Sequence, residues 1–271
     1  LLSGYHGKVV LYWHSDVVKQ KKLMIIYRPI MERFLKRADA IIIGADGVIK
    51  GSSYLKPYED KCVTIPFAVN QKIEQMGKEY LNQAKPNMQK YARFLFVGRL
   101  VYYKGVDVLI NAFESVENAE LTIIGCGDRE NDLKAYIKEH GMSEHVHFLG
   151  KVEEKRLYSE FSKCDVFVLP SVAKSEAFGL VQLEAMAYGK PVINTNLPSG
   201  VPEVSLNGIT GLTVEPGNKL ELRDAMRWLV EHPYERYEMG YAARKRLEDN
   251  YTMDVMMNRI LDLYKSCLLY T

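Results

Sequence analysis

Two carboxylates, Glu176 and Glu184, stand with seven residues between them around Phe178-Gly179-Leu180. A β-branched run over 165–170 precedes this segment, and an amphipathic helical pattern over 180–187 follows it. A strand–loop–helix junction of this kind lies at the carboxyl edge of a parallel sheet, where open α/β folds place their ligands. Gly179 lets the backbone approach a ligand closely. The free N–H groups at the following helix start suit a phosphate. Glu176 falls in the loop and Glu184 about one turn into the helix, so both can flank one ligand. Taken alone, the segment reads equally well as a solvated loop acid and a surface helix acid.

A second junction has the same polarity. The apolar run 94–97 ends at Gly98, and the loop behind it carries Arg99 and Lys104 before Gly105 and a new helical pattern. Arg offers a planar donor fork for phosphate oxygens, and Lys a compact point charge. Two cations beside a helix start can neutralise a departing diphosphate. The chain has no Asp-x-Asp pair of the kind that holds a catalytic divalent ion. Cations and amides would then take the place of a metal.

These junctions need a sheet to position them, and the chain supplies strand–helix alternation almost from end to end. Apolar runs fall at 9–13, 40–43, 62–66, 94–97, 121–124, 146–149, 166–169, 191–194 and 211–214. Several are continuously apolar, as expected of parallel strands covered on both faces. Helical patterns at 106–113, 132–139, 154–161 and 180–187 separate them, and beyond 217 the chain turns helical over 219–231, 234–250 and 253–261. Pro233 punctuates the first of these junctions, Thr252 can cap the last helix, and 267–271 fall past the pattern. The fold class expected is α/β, with doubly wound sheets. A stretch rich in Lys, Gln and Asn at 78–90, with Pro86, reads as a linker. It divides a first block of 1–88, with three strands and about half of a doubly wound domain, from a second block of 89–271 with six.

Composition agrees with a folded chain. Of 271 residues, 47% are hydrophobic and 26% charged, and a net charge of +2 excludes a histone-like polycation. No apolar run reaches the roughly eighteen residues that span a bilayer. The opening Leu1-Leu2-Ser3-Gly4-Tyr5-His6 lacks the pattern of a signal peptide and begins without Met, which suits a fragment. Cys62, Cys126, Cys164 and Cys267 are far apart, and three lie in or beside apolar runs. That suits reduced, buried thiols in the cytoplasm, with neither disulfide nor structural zinc.

Residues 19–37 carry seven basic side chains (Lys19, Lys21, Lys22, Arg28, Arg33, Lys36 and Arg37) against one acid, Glu32. Leu23, Ile26, Ile30 and Phe34 recur at helical spacing, with Tyr27 on the same face and Pro29 expected near a helix start. A basic amphipathic element suits an anionic membrane surface, and equally a helix packed on its own sheet with a solvated basic face. Nucleic acid fits less well, because the aromatics sit on the apolar face and not among the charges. Gly125-Cys126-Gly127 suggests a dinucleotide turn, but Glu130 stands where its third glycine belongs. Asp128, Glu130 and Asp132 read as a solvated, dipole-complementing turn.

Together, Gly98-Arg99 with Lys104-Gly105, Glu176 with Glu184, and Phe178-Gly179-Leu180 resemble retaining glycosyltransferase family 4, the "group 1" enzymes of GT-B fold. The likeness continues through Gly125-Cys126-Gly127, Phe148-Leu149-Gly150, Gly189-Lys190-Pro191-Val192 and Gly208-Ile209-Thr210-Gly211-Leu212, and Ile65-Pro66-Phe67-Ala68-Val69-Asn70 looks like that family's interdomain entry. The resemblance implies a nucleotide-diphosphate sugar, UDP- or GDP-linked, as donor, with no metal or other cofactor required. It implies that Arg99 and Lys104 hold the donor diphosphate, with Gly98 beside them. Glu176 would contact the donor sugar, the backbone of Phe178, Gly179 and Leu180 would meet phosphate, and Glu184 would bind the ribose hydroxyls. The backbone near Val152 would meet the base, and His14 would face the transferred sugar from the first block.

The implied activity is transfer of that sugar, with retention, to a glycan or lipid-linked acceptor in envelope polysaccharide or glycolipid synthesis. The implied setting is the cytoplasm or the inner face of the plasma membrane. Pro198-Ser199-Gly200-Val201-Pro202-Glu203 departs from the family's commoner Gly-Gly turn, which leaves the donor sugar open. The family's first strand and its glycine-rich loop have no counterpart here, so this chain alone could be inactive. Two other readings compete: a nucleotide-sugar-binding subunit without catalysis, and a GT-B epimerase acting on the donor itself.

Overall fold

The computed structural model describes residues 4–16 and 21–269. Two parallel sheets follow one another along the chain. The first has the order β1-β2-β3, from β1 (Val10–Trp13), β2 (Ala40–Ile43) and β3 (Cys62–Thr64). The crossovers are α1 (Lys21–Arg37) and α2 (Gly47–Gly51), and α3 (Gln71–Leu81) leads out towards the second sheet.

The second sheet contains β4 (Ala92–Val97), β5 (Ala119–Ile124), β6 (Val146–Gly150), β7 (Val166–Val168), β8 (Val192–Thr195) and β9 (Gly211–Val214). Its order is β6-β5-β4-β7-β8-β9, with every pair parallel. The winding reverses between β4 and β7, where Phe94 pairs with Val166. Helices α4 (Val106–Phe113), α5 (Glu130–Glu139), α6 (Glu154–Lys163), α7 (Val181–Ala187) and α8 (Val201–Val204) link these strands. The chain then runs through α9 (Lys219–Glu231), α10 (Pro233–Asn250) and α11 (Met253–Leu269).

Local chemistry explains the boundaries. The Asn70 side chain accepts from the Lys72 amide at the start of α3, and Asn218 does the same for Leu220 and Glu221 at α9. Pro233 opens α10, where its missing N–H is no loss. Thr252 Oγ1 accepts from the Val255 amide, so it caps α11 as its position suggested.

All nine strand expectations fall on observed strands. One apolar core lies under α4, α5 and α9, around Phe94, Leu121, Ile110 and Met226. The other runs from Met31, Leu35 and Ile43 of the first unit through Ile73 to Phe167, Leu183 and Leu247 of the second. This continuous core joins the two sheets.

Five expectations are corrected. Pro29 lies inside α1. The carbonyl its ring deprives of a bond belongs to Ile25, on a turn open to solvent, where Ile25 is 76% and Ile26 73% exposed. The buried face of α1 is Met24, Met31 and Leu35, and Ile26, Tyr27, Ile30 and Phe34 lie exposed. Lys19 and the side chains of Lys21, Lys22 and Leu23 lie outside the described residues. Residues 267–269 continue α11, and α3 runs to Leu81, into the stretch read as linker. Of the four cysteines only Cys164 is buried, and Cys126 is exposed.

Candidate functional site

The loops after β4 and β7 face each other at the switch point of the second sheet, where the diverging crossovers leave a crevice. They are zipped together. The Val172 amide donates to the Tyr103 carbonyl at 2.8 Å, and Gly105 turns with φ of +64°. A Cβ at Gly105 would sit 2.1 Å from the Pro170 carbonyl oxygen, so the glycine permits the contact.

This arrangement aims Lys104, at the end of a 3₁₀ turn over Tyr102–Lys104, at Glu176. Lys104 Nζ lies 2.5 Å from Glu176 Oε2, and the Ser171 hydroxyl donates to the same oxygen at 3.0 Å. Cation and carboxylate are 13% and 11% exposed, so water screens them little.

The pair forms one wall of a cavity of about 520 Å³. Gly98, Phe178, Gly179, Leu180 and Glu184 line the rest, with Leu157 from α6 and Phe67 from the first unit. Gly179 has φ of +72°, a conformation that favours glycine at the turn into α7. Among the described residues, no side-chain hydrogen bond or ion pair reaches Glu184, in the first turn of α7. Burial pushes its carboxyl up to about 7. A largely buried acid in a cavity wall, with Tyr158 and Tyr188 in its electrostatic surroundings, can receive hydroxyl donors.

Seven of the residues singled out from the sequence therefore meet in one cavity: Gly98, Lys104, Glu176, Phe178, Gly179, Leu180 and Glu184. Three do not. Arg99 is exposed outside the wall, its guanidinium donating to the Tyr103 hydroxyl at 2.8 Å. Val152 packs, partly buried, against the core and is not in the cavity lining. His14 follows β1 and is linked to the cavity through rings: its ring centroid is 5.5 Å from that of Phe67, which meets Phe178 edge-on at 5.1 Å.

Sequence reading missed the roles of Phe67, Leu157 and Ser171. Ser171 carried a readable signal, a hydroxyl at the start of the loop that holds Glu176. Phe67 was read only as part of the interdomain entry 65–70, and Leu157 carried no signal, because long-range packing brings both to the wall.

Comparison with known proteins adds to this geometry. Residues 78–246 match the family model described as "Glycosyl transferases group 1". D-rhamnosyltransferase WbpZ of Pseudomonas aeruginosa is 33% identical over 257 residues, covering 93% of this chain and 65% of that protein. O-antigen chain mannosyltransferase C of Escherichia coli is 33% identical over 264 residues, covering 97% and 70%. The chain thus spans about two thirds of the length of these relatives.

Among solved structures, Anabaena Alr3699/HepE in complex with UDP aligns with a TM-score of 0.81 at 18% identity, over 96% of this chain and 72% of that one. Sucrose-phosphate synthase from Thermosynechococcus elongatus gives 0.78 at 21% identity, over 100% and 70%. At these identities the structural likeness concerns the fold.

Proposed function

The chain belongs to the group 1 glycosyl transferases and shares their GT-B type fold, and on that premise we propose that it moves a sugar from a nucleotide diphosphate to an acceptor hydroxyl. Lys104 and the amides of Gly179 and Leu180 receive the diphosphate, Glu176 the donor sugar and Glu184 the ribose. The C1–O bond to the diphosphate breaks with its electron pair leaving on phosphate. The acceptor oxygen bonds to C1 on the same face, and its proton passes to the departing phosphate oxygen, so configuration is retained. The observation that carries this reading is the Lys104–Glu176 pair facing Glu184 across one cavity at the switch point.

Transfer in this reading needs no divalent ion, because Lys104 supplies the positive charge at the leaving group. Activity that vanished with EDTA and returned with magnesium would overturn metal independence.

D-rhamnose and mannose, named in the two relatives, share the manno configuration, which supports a manno-configured donor sugar and an O-antigen-type glycan acceptor. A thermal-shift panel of UDP, GDP and ADP tests the nucleotide, since a bound ligand raises stability by mass action. Response to none of the three would remove the donor site. Product analysis without acceptor separates transfer from epimerisation, because an epimerised donor would displace the present reading.

The basic helix α1 supports peripheral contact with an anionic bilayer. Ile25, Ile26, Ile30 and Phe34 are exposed on it beside Arg33 and Lys36. Among the described residues no helix is long and apolar enough to cross a membrane. Such a helix would lie in the interface, with its apolar side chains among the acyl chains and its cations at the headgroups. Vesicle flotation tests the contact: stronger binding to anionic than to neutral vesicles is expected.

A further inference from the structure

The loop over 198–203, which departs from the family's usual turn, is the seat of the first unit. The Glu203 carboxylate accepts from the Asp46 amide at 3.0 Å and the Gly47 amide at 2.5 Å, both at the start of α2. The fit around this contact leaves no space. A Cβ at Gly47 would lie 2.3 Å from the Ser199 carbonyl oxygen, and one at Gly51 would lie 2.2 Å from that of Pro198. Lys174 closes the same seam, donating to the Gly51 carbonyl at 2.9 Å. From behind, the Arg246 guanidinium and the Tyr251 hydroxyl donate to the Glu203 carbonyl at 2.7 and 3.2 Å, which fixes the backbone that carries the carboxylate.

The seat is joined to the cavity wall. The Gly200 amide donates to the Ala177 carbonyl at 2.7 Å, and Ala177 stands between Glu176 and Phe178. A Cβ at Gly200 would meet Ala45 of the first unit at 2.7 Å and Phe178 at 2.9 Å. Ala45, Gly200 and Phe178 therefore touch in series.

We propose that Glu203 is a positioning residue: by latching the Asp46-Gly47 turn onto the 198–203 loop, it sets the Glu176–Phe178 segment opposite Lys104. The proposal rests on the transfer reading for its kinetic consequence and on geometry alone for the latch. Without the carboxylate, the turn loses two hydrogen bonds to a charged acceptor, and the segment behind Gly200 is freed to drift. Displacement of an ångström at a reacting centre is enough to slow chemistry about a hundredfold.

Two measurements on the intact protein test this. Hydrogen exchange should quicken about tenfold or more in Glu203→Ala, both in the 44–52 peptide and in the 173–180 peptide. Faster exchange in the first peptide with none in the second overturns the coupling, and no change in either overturns the latch. In steady-state transfer, Glu203→Ala and Gly47→Ala should lower kcat about tenfold to a hundredfold and leave UDP or GDP affinity within about threefold. Glu203→Gln, which keeps one carbonyl acceptor, should recover part of the loss. Wild-type kcat in both Glu203→Ala and Gly47→Ala would refute the positioning role. A wild-type protein that transfers nothing to any acceptor would refute the transfer reading, and the exchange experiment would still decide the latch.

Discussion

Lys104 and Glu176 form an ion pair in the cavity wall, Nζ to Oε2 at 2.5 Å. The proposed diphosphate ligand and the proposed sugar ligand are thus each other's partner before any donor arrives. On the proposed reading, an entering diphosphate would compete with Glu176 for the ammonium, and the carboxylate released by that competition would become available to sugar hydroxyls. The pair would then work as an exchange, in which binding one end of the donor prepares the group for the other.

Lys104→Ala removes the cation at the leaving group. Its kcat should fall by about 10²–10³, the loss seen when one preorganised donor is taken from a developing anion. Near-normal turnover in steady-state assays of the intact protein would take Lys104 out of the chemistry.

Glu176→Gln separates the two halves of the exchange. The amide cannot compete with phosphate for Lys104, so calorimetry with UDP or GDP alone should show affinity about three- to tenfold tighter than wild type. Transfer should nevertheless fall by about 10² or more, because the sugar loses its charged acceptor. Weaker nucleotide binding would mean that Glu176 supports the ammonium more than it opposes phosphate.

Glu184 predicts a pH dependence of definite sign. Burial raises its carboxyl from 4.5 to about 7, so the folded protein holds a proton there that the unfolded chain has released. Stability from this group is full below pH 4.5 and is lost as pH rises through about 7. At pH 8, Glu184→Gln should stabilise the donor-free protein by on the order of 2 kcal/mol. A ribose diol would give the ionised form the donors it lacks, so nucleotide affinity should weaken below pH 7, with proton release on binding. Calorimetry in buffers of different ionisation enthalpy measures that release, and its absence would separate Glu184 from the ribose.

The strands and the two facing loops were legible because each is a local pattern. Val106–Phe113 is apolar on one face and bounded by Gly105, and it forms α4 over those same residues. The positions of Lys104, Glu176 and Glu184 were legible for a related reason, since each lies in the loop after a buried strand or in the first turn of the helix that follows it. Contacts across long separations were not. Glu203 meets Gly47 from 156 residues away, and nothing in the periodicity of either segment encodes it. Arg99 lies in the loop from which its phosphate role was read, and its contact with the hydroxyl of Tyr103, four residues on, was not readable from that loop. In α1, helical spacing permits two apolar stripes, Met24-Met31-Leu35 and Ile26-Ile30-Phe34. A 3.6-residue period cannot say which of them the sheet covers.

The stripe left uncovered on α1 gives the last prediction. Ile26 and Ile30 are one turn apart and expose 73% and 45% of their surface beside Arg33. Burying the exposed part of two such side chains among acyl chains contributes about 1–2 kcal/mol each, and each lysine or arginine at an anionic surface adds about 1 kcal/mol. Ile26→Glu with Ile30→Glu replaces that gain with two desolvated, repelled carboxylates, so flotation with phosphatidylserine vesicles should fall at least about tenfold. The substitutions lie on the face away from Met24, Met31 and Leu35, so the thermal midpoint should move little. Raising salt should weaken wild-type binding in part and leave an apolar remainder, because screening acts on the cations and not on Ile26 and Ile30. Equal flotation of the double variant and the wild type would assign the binding, if any, to another surface, and a large drop in thermal midpoint would show that the stripe is part of the core.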